Sequence, residues 1–174
     1  MNVQIKVLSR EISEYLWRSG KTLSTAESCT AGLVASALAS MPGASNYFRG
    51  SAVTYATDLK TSLLGVSEEL LNSKGAVCEE VALAMAEGAL DKLQSDYAVG
   101  VTGYAGPGGG AEAPVGTIWI AVGSKGAMQT RELTGDDGRE INLQRATLNA
   151  LSMLLDTLRT DFPLESEGEE EGSR

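Results

Sequence analysis

The sequence predicts an α/β protein: a three-layer α/β/α sandwich around a mixed, mostly parallel sheet. Segments with a helical apolar period alternate with short strand-like runs along most of the chain. One late pair of runs is joined across Gly123-Ser124-Lys125-Gly126, a hairpin-like turn that adds an antiparallel element. The chain has 174 residues, 43% apolar and 21% charged, enough for one domain that buries roughly 70% of its unfolded surface.

The elements follow in order. Val3, Val7, Leu8, Ile12, Tyr15 and Leu16 fall near a 3.6-residue period and predict a first helix that stops at Gly20. A short strand, Thr22 to Ala26, leads into the polar turn Glu27-Ser28-Cys29-Thr30. Small and apolar residues from Ala31 to Ala39 predict a closely packed helix that ends before Pro42-Gly43. Ser51 to Tyr55 alternates like a strand, and Asp58 to Leu64 reads as a helix capped by Asp58 or Thr57. Ser67, followed by Glu68 and Glu69, starts another short helix with acids in its first turn.

Glu79 to Leu93 carries Val81, Met85, Ala89 and Leu93 on one helical stripe. Tyr97 to Thr102 is a buried-type strand that runs into the glycine-rich loop Gly103 to Gly110. Thr117 to Val122 and Ala127 to Leu133 are the hairpin strands, and Ile141 to Leu158 is a long final helix. The expected folded domain is 1–163. Leu164 to Arg174 holds five Glu, one Arg and no large apolar residue after Leu164, so it is expected to be a disordered acidic tail.

Composition excludes several function classes. There are 14 Lys+Arg against 23 Asp+Glu, a formal charge of −9, of which the tail holds −4 and the remainder −5. Such a chain lacks the basic footprint that gives nucleic-acid binding its affinity, so no nucleic-acid partner is expected. The histidine count is zero, which rules out Ser-His-Asp and Cys-His machinery and any His-ligated zinc. Cys29 and Cys78 are too few for a disulfide scaffold or a four-cysteine metal site, and read as reduced thiols of a cytoplasmic protein. Nowhere do 18 apolar residues run together, and the charged N-terminus has no signal-peptide core, so no membrane span is expected. Asp136 and Asp137 are a weak metal signal, and no metal site is predicted.

Three turns rich in glycine and hydroxyls flank the strands: residues 27–32, Gly50-Ser51, and Thr102 to Gly110. In an open α/β sheet, ligands sit where strand-end loops converge. A helix beginning just after Ser28 would aim free N–H groups and its positive dipole end at the turn, an environment for a phosphate or an oxyanion. Equally, Ser28 could be only that helix's N-cap. The glycine loop is neither a P-loop, since no Lys follows it, nor a dinucleotide fingerprint, since Pro107 and Pro114 break any helix. It is a plain connection or a lid that approaches a ligand closely. Lys60, partly buried among Ala56, Leu59 and Leu63, would have a lowered pKa and could take a proton from a serine, with Tyr55 as relay or support. A solvated Lys60 and a core Tyr55 are the alternative. Cys29 is a rival nucleophile at the same turn. Arg49, Arg131, Arg139 and Arg145 are the candidate anchors for an anionic group.

Taken together, Thr25-Ala-Glu-Ser-Cys-Thr-Ala-Gly32, Phe48-Arg-Gly-Ser-Ala-Val-Thr-Tyr55-Ala-Thr-Asp-Leu-Lys60, Thr102-Gly-Tyr-Ala-Gly-Pro-Gly-Gly-Gly110 and Pro114-Val-Gly-Thr117 resemble the CinA C-terminal-domain family. The resemblance spans about residues 4–160. It implies hydrolysis of the amide of nicotinamide mononucleotide to nicotinic acid mononucleotide and ammonia, a step of pyridine nucleotide salvage. By the same resemblance Ser28 is the nucleophile, working with Lys60 and Tyr55. Ser51, Thr102, Gly103 and Gly106 line the substrate site, and Arg139 matches the arginine of a Gly-Asp-Arg-like motif. The backbone N–H groups of Cys29 and Thr30 are the inferred oxyanion donors. No metal or organic cofactor is implied, and a homo-oligomer, with a dimer favoured, is expected. A non-catalytic nucleotide-binding module, or an amidase for another small amide, are the alternatives.

Two departures from the family pattern stand out. Ala31 replaces the first of two glycines, which helical geometry would tolerate, and Asp137-Gly138 stands between Gly135-Asp136 and Arg139. Larger family members carry an N-terminal partner domain that has no counterpart in these residues, so a stand-alone amidase is expected.

Overall fold

Five strands form one sheet in the computed structural model, which describes residues 2–163. The strands are β1 (Leu23–Glu27), β2 (Phe48–Val53), β3 (Tyr97–Gly103), β4 (Ile118–Ser124) and β5 (Ala127–Leu133), in the spatial order β2-β1-β3-β4-β5. β1 pairs in parallel with both β2 and β3, whereas β4 runs antiparallel to β3 and to β5. Only β4 is therefore reversed, and the sheet is mixed with four strands pointing the same way.

Helices cover both faces. On one side α1 (Val3–Ser19), α2 (Leu33–Ala39) and α6 (Arg139–Asp161) enclose Ile12, Leu16, Val34, Leu38, Val99 and Leu154. On the other, α3 (Thr57–Leu64), α4 (Glu68–Lys74) and α5 (Glu79–Leu93) enclose Leu64, Val81, Met85, Ala98 and Ala121. Each fully buried Leu, Val or Met side chain contributes about 1.5–3 kcal/mol. The two faces of β3 are built differently. Val99 and Val101 fill the α1/α6 side, while Ala98 and Gly100 on the α5 side keep their bulk low. A Cβ on Gly100 would lie 2.5 Å from the Ala82 carbonyl oxygen, so α5 sits closer to the sheet than any side chain there permits.

Local chemistry sets the element ends. Asn2 caps α1 by accepting from Gln4 N at 2.8 Å, and Gly20 ends it at φ +67°. Ser67 caps α4 through Leu70 N, as its position in the sequence suggests. Thr57 and Asp58, in contrast, lie inside the first turn of α3 and do not cap it; Ala56 stands at that position. The hairpin closes with Ser124 paired to Ala127 across Lys125-Gly126.

Three boundaries differ from expectation with consequences for the site. β1 runs through Glu27, which makes that carboxylate part of the buried strand. β2 spans Phe48–Val53, which leaves Tyr55 in the loop ahead of α3. α2 starts at Leu33 and not at Ala31, because Ala31 (φ +48°) and Gly32 (φ +97°) are both left-handed. Ala31 is thus not helical as its composition suggests. The acidic tail lies outside the described residues.

Candidate active site

The carboxyl ends of β1 and β3 open into the gap between the two helical layers, where the chain leaves β1 toward one face and β2 toward the other. Ser28 is the first residue past β1. Its N–H continues the sheet bonding onto Val101 O at 2.9 Å, and its carbonyl accepts from Ala31 N at 3.0 Å to close a tight turn. Only 8% of Ser28 is exposed. Lys60 reaches the same spot from α3 and is 1% exposed. Its Nζ donates to Ser28 Oγ at 2.9 Å and to the Thr54 carbonyl at 2.7 Å.

Burial lowers the Lys60 pKa below the ordinary lysine value, since desolvation disfavours the ammonium. A neutral amine at this distance presents a lone pair to the serine hydroxyl, a histidine-free way to activate a nucleophile. Cys29 is different. Its sulfur is packed into the apolar cluster, and burial pushes the thiol up to about 12. That raised value keeps it a thiol near neutrality, which weighs against the rival-nucleophile reading of Cys29.

A cavity of 260 Å³ opens beside this pair, lined by Ser28, Lys60, Tyr55, Thr102, Gly103 and Arg139 together with the backbone around Gly106 and the Ala76-Val77 wall. The Thr102 hydroxyl donates to Ala76 O at 2.7 Å and ties the end of β3 to that wall. Gly103 has no room for a side chain: a Cβ would lie 2.6 Å from Ile118 Cγ1. Arg139, the first residue of α6, spans the cavity mouth. It donates to Gly106 O at 2.6 Å and to the Tyr55 hydroxyl at 3.2 Å. A larger open groove of 450 Å³ between α1 and α6, lined by Val3, Val7, Leu8 and Leu148, contains no ionisable side chain, so the smaller polar cavity is the chemical candidate.

The structure brings most of the expected residues together. Ser28, Cys29, Lys60, Tyr55, Thr102, Gly103, Gly106 and Arg139 all face one cavity. Ser51 does not: its Oγ lies 2.7 Å from Thr25 Oγ1 within the β2–β1 pair, away from the lining. Tyr55 is 56% exposed and bonds Arg139, while the lysine amine is held by the Thr54 carbonyl. Of the four candidate arginines, Arg139 alone lines the cavity; Arg49 binds Leu93 O, Arg131 binds Asn149, and Arg145 binds Asp137 and the Thr134 carbonyl. Asp136 accepts from Asn142 and Gly138 N, which hold its pKa low.

The helix-dipole expectation is also corrected. The N–H groups that open α2 do not face the cavity, because the Glu27 carboxylate takes those of Gly32, Val34 and Ala35. Ser28 is therefore no N-cap. The N–H groups of Cys29 and Thr30 meet no oxygen acceptor within the described residues. Sequence reasoning missed Glu27 and the Ala76-Val77 wall. A charge ending an otherwise uncharged strand was the available signal for Glu27; nothing local distinguishes Ala76 or Val77.

Residues 5–158 match the family described as the CinA C-terminal domain. A CinA-like protein of Gloeobacter violaceus is 49% identical over 142 residues, covering 80% of this chain and 33% of the relative. The chain thus spans about a third of the length of such curated relatives. Among solved structures, the competence/damage-inducible protein CihA of Agrobacterium tumefaciens is 41% identical, with a TM-score of 0.87 over 91% of this chain and 98% of that one. A CinA superfamily protein of Escherichia coli is 36% identical, with a TM-score of 0.84 over 87% and 88%.

Proposed function

The chain belongs to the CinA C-terminal domain family, and from that premise we propose that it hydrolyses the amide of nicotinamide mononucleotide, releasing ammonia and nicotinic acid mononucleotide. The observation that carries the chemical half of this reading is the 2.9 Å approach of a buried, pKa-lowered lysine to a serine at the edge of a cavity. The substrate half rests on the family resemblance and on Arg139 at the cavity mouth, a fork suited to phosphate.

The proposed sequence is acyl transfer. Neutral Lys60 accepts the Ser28 proton as Ser28 Oγ bonds to the amide carbon. The N–H groups of Cys29 and Thr30, which have the Cys29 sulfur and no oxygen as neighbour, are the proposed donors for the oxyanion, each of a kind whose loss lowers rate by about 10² to 10³. The lysine returns the proton to the departing nitrogen and ammonia leaves. Water then gives a proton to the same amine as it adds to the acyl carbon, and the amine passes that proton to Ser28 Oγ as the acyl bond breaks and the acid product departs.

Ammonia release from purified protein and nicotinamide mononucleotide, run beside Ser28→Ala, tests the reading. Release that vanishes in a folded variant supports it. A folded wild type that is thermally stabilised by the nucleotide yet releases no ammonia is a binding module instead.

A further inference from the structure

Glu27 is fully buried and no cation pairs with it among the described residues. A charge so placed is costly unless donors surround it. Here they do. Oε2 accepts from Thr30 Oγ1 at 2.7 Å, Gly32 N at 2.9 Å and Val34 N at 3.2 Å, while Oε1 accepts from Ala35 N at 2.8 Å and lies 3.1 Å from Thr25 Oγ1. The donors bracket Ser28 on both sides in the chain, so the carboxylate staples the turn that carries the nucleophile.

Three further features separate this arrangement from an ordinary helix cap. The backbone carbonyl of Glu27 accepts from Thr54 N at 2.8 Å, and the carbonyl of that same Thr54 accepts from Lys60 Nζ. One residue therefore fixes both the serine turn and the acceptor that aims the base. Ala31, inside the staple, is held at φ +48°, a conformation that persists in a non-glycine residue where its surroundings over-determine it. Finally, Glu27 takes the N–H groups beyond the turn, whereas those of Cys29 and Thr30 have the Cys29 sulfur and no oxygen acceptor as neighbour.

We propose that Glu27 is the positioning residue of the nucleophile turn: its carboxylate sets Ser28 against Lys60. The proposal rests on the amidase reading above. Glu27 does not line the cavity, so its effect belongs in kcat and not in KM. A misplacement of about 1 Å at a reacting group can lower rate on the order of 10²-fold.

Glu27→Gln replaces one acceptor oxygen by an NH2 facing backbone donors, and Glu27→Asp withdraws the carboxylate by one methylene. Both are measured for ammonia release and for the rate at which a sulfonyl fluoride modifies Ser28, with fluoride leaving as the serine oxygen bonds to sulfur. The expected result for Glu27→Gln is a fall of about tenfold or more in kcat and an equal fall in Ser28 labelling, with KM within about twofold. A folded variant with wild-type kcat and labelling overturns the proposal and leaves Glu27 a cap alone. If the Glu27 variants do not fold, Thr30→Val, which removes the 2.7 Å contact while keeping the side chain's shape, carries the test: lowered kcat at constant KM supports it, unchanged kcat overturns it. Wild type that is labelled at Ser28 but inert on nicotinamide mononucleotide rejects the substrate, and the labelling comparison still decides Glu27. Wild type that is folded but neither labelled nor active overturns the amidase reading and the positioning role with it.

Discussion

Lys60 Nζ lies 2.9 Å from Ser28 Oγ, with the amine 32 positions away in the chain and its residue only 1% exposed. The pair is brought together by the parallel β1–β2 arrangement, which delivers the loop after β2 beside the turn after β1.

Burial lowers the Lys60 pKa, so turnover should rise with pH through that lowered value, on a limb below the ordinary 10.5. Lys60→Met should lose the limb and about 10² to 10⁴ in kcat. Stability follows the same sign. Between the lowered value and 10.5 the unfolded chain binds the proton that the folded one has released, so wild type gains stability over Lys60→Met as pH rises across that window. Denaturant titrations of both proteins at several pH values check this; parallel stability curves would remove Lys60 as a titrating buried base.

Arg139→Ala should raise KM for the phosphorylated substrate by about tenfold with a smaller change in kcat, the scale expected for one charge-assisted hydrogen bond. Arg139→Lys should recover little, since a single ammonium lacks the planar two-nitrogen fork that reaches Gly106 O through Nη1 and Tyr55 through Nη2. Nicotinamide riboside, which lacks the phosphate, should be indifferent to the change. Equal effects on both substrates would count against a phosphate role.

With its thiol pushed up to about 12, Cys29 holds almost no thiolate at neutral pH. Iodoacetamide should leave the proposed amidase activity intact, and Cys29→Ala should keep kcat within about threefold while losing about 1 kcal/mol of packing. Inactivation traced to Cys29 by mass spectrometry would reverse the assignment of the nucleophile.

Gly88 lets α5 press against the end of α3, the helix that bears Lys60. A Cβ there would lie 2.2 Å from the Leu64 carbonyl oxygen. Gly88→Ala would gain up to about 1 kcal/mol of helix preference but incur about 1–3 kcal/mol of overpacking against a backbone atom that cannot rotate away. The clash should win, lowering Tm by a few degrees and kcat with it. An unchanged Tm by calorimetry would show that α3 yields freely.

Much of this molecule is legible one residue at a time. The period of Val81, Met85 and Ala89 gives α5, the apolar run from Tyr97 gives the central strand, and Gly20, Ser67 and Lys125-Gly126 mark ends through their own backbone or hydroxyl chemistry. Zero histidines already removed the familiar triads, and the spaced motifs around Ser28, Lys60 and the glycine loop pointed to the family.

Other features were not written locally. Whether Ala31 is helical depends on Glu27 reaching past it to α2, and that in turn depends on Glu27 being sealed inside the sheet. Ser51 sits in a motif beside Tyr55, yet strand register turns it toward Thr25. Tyr55 meets Arg139 across 84 positions, and Arg139 is selected from four arginines only by where α6 begins. Periodicity and turn chemistry act over a few neighbouring residues, so sequence determined the elements and their residue types. Hydrogen bonds between distant loops form only after strand order has placed their ends together, so the tertiary structure alone decided which of those residues meet and which carboxylate holds them there.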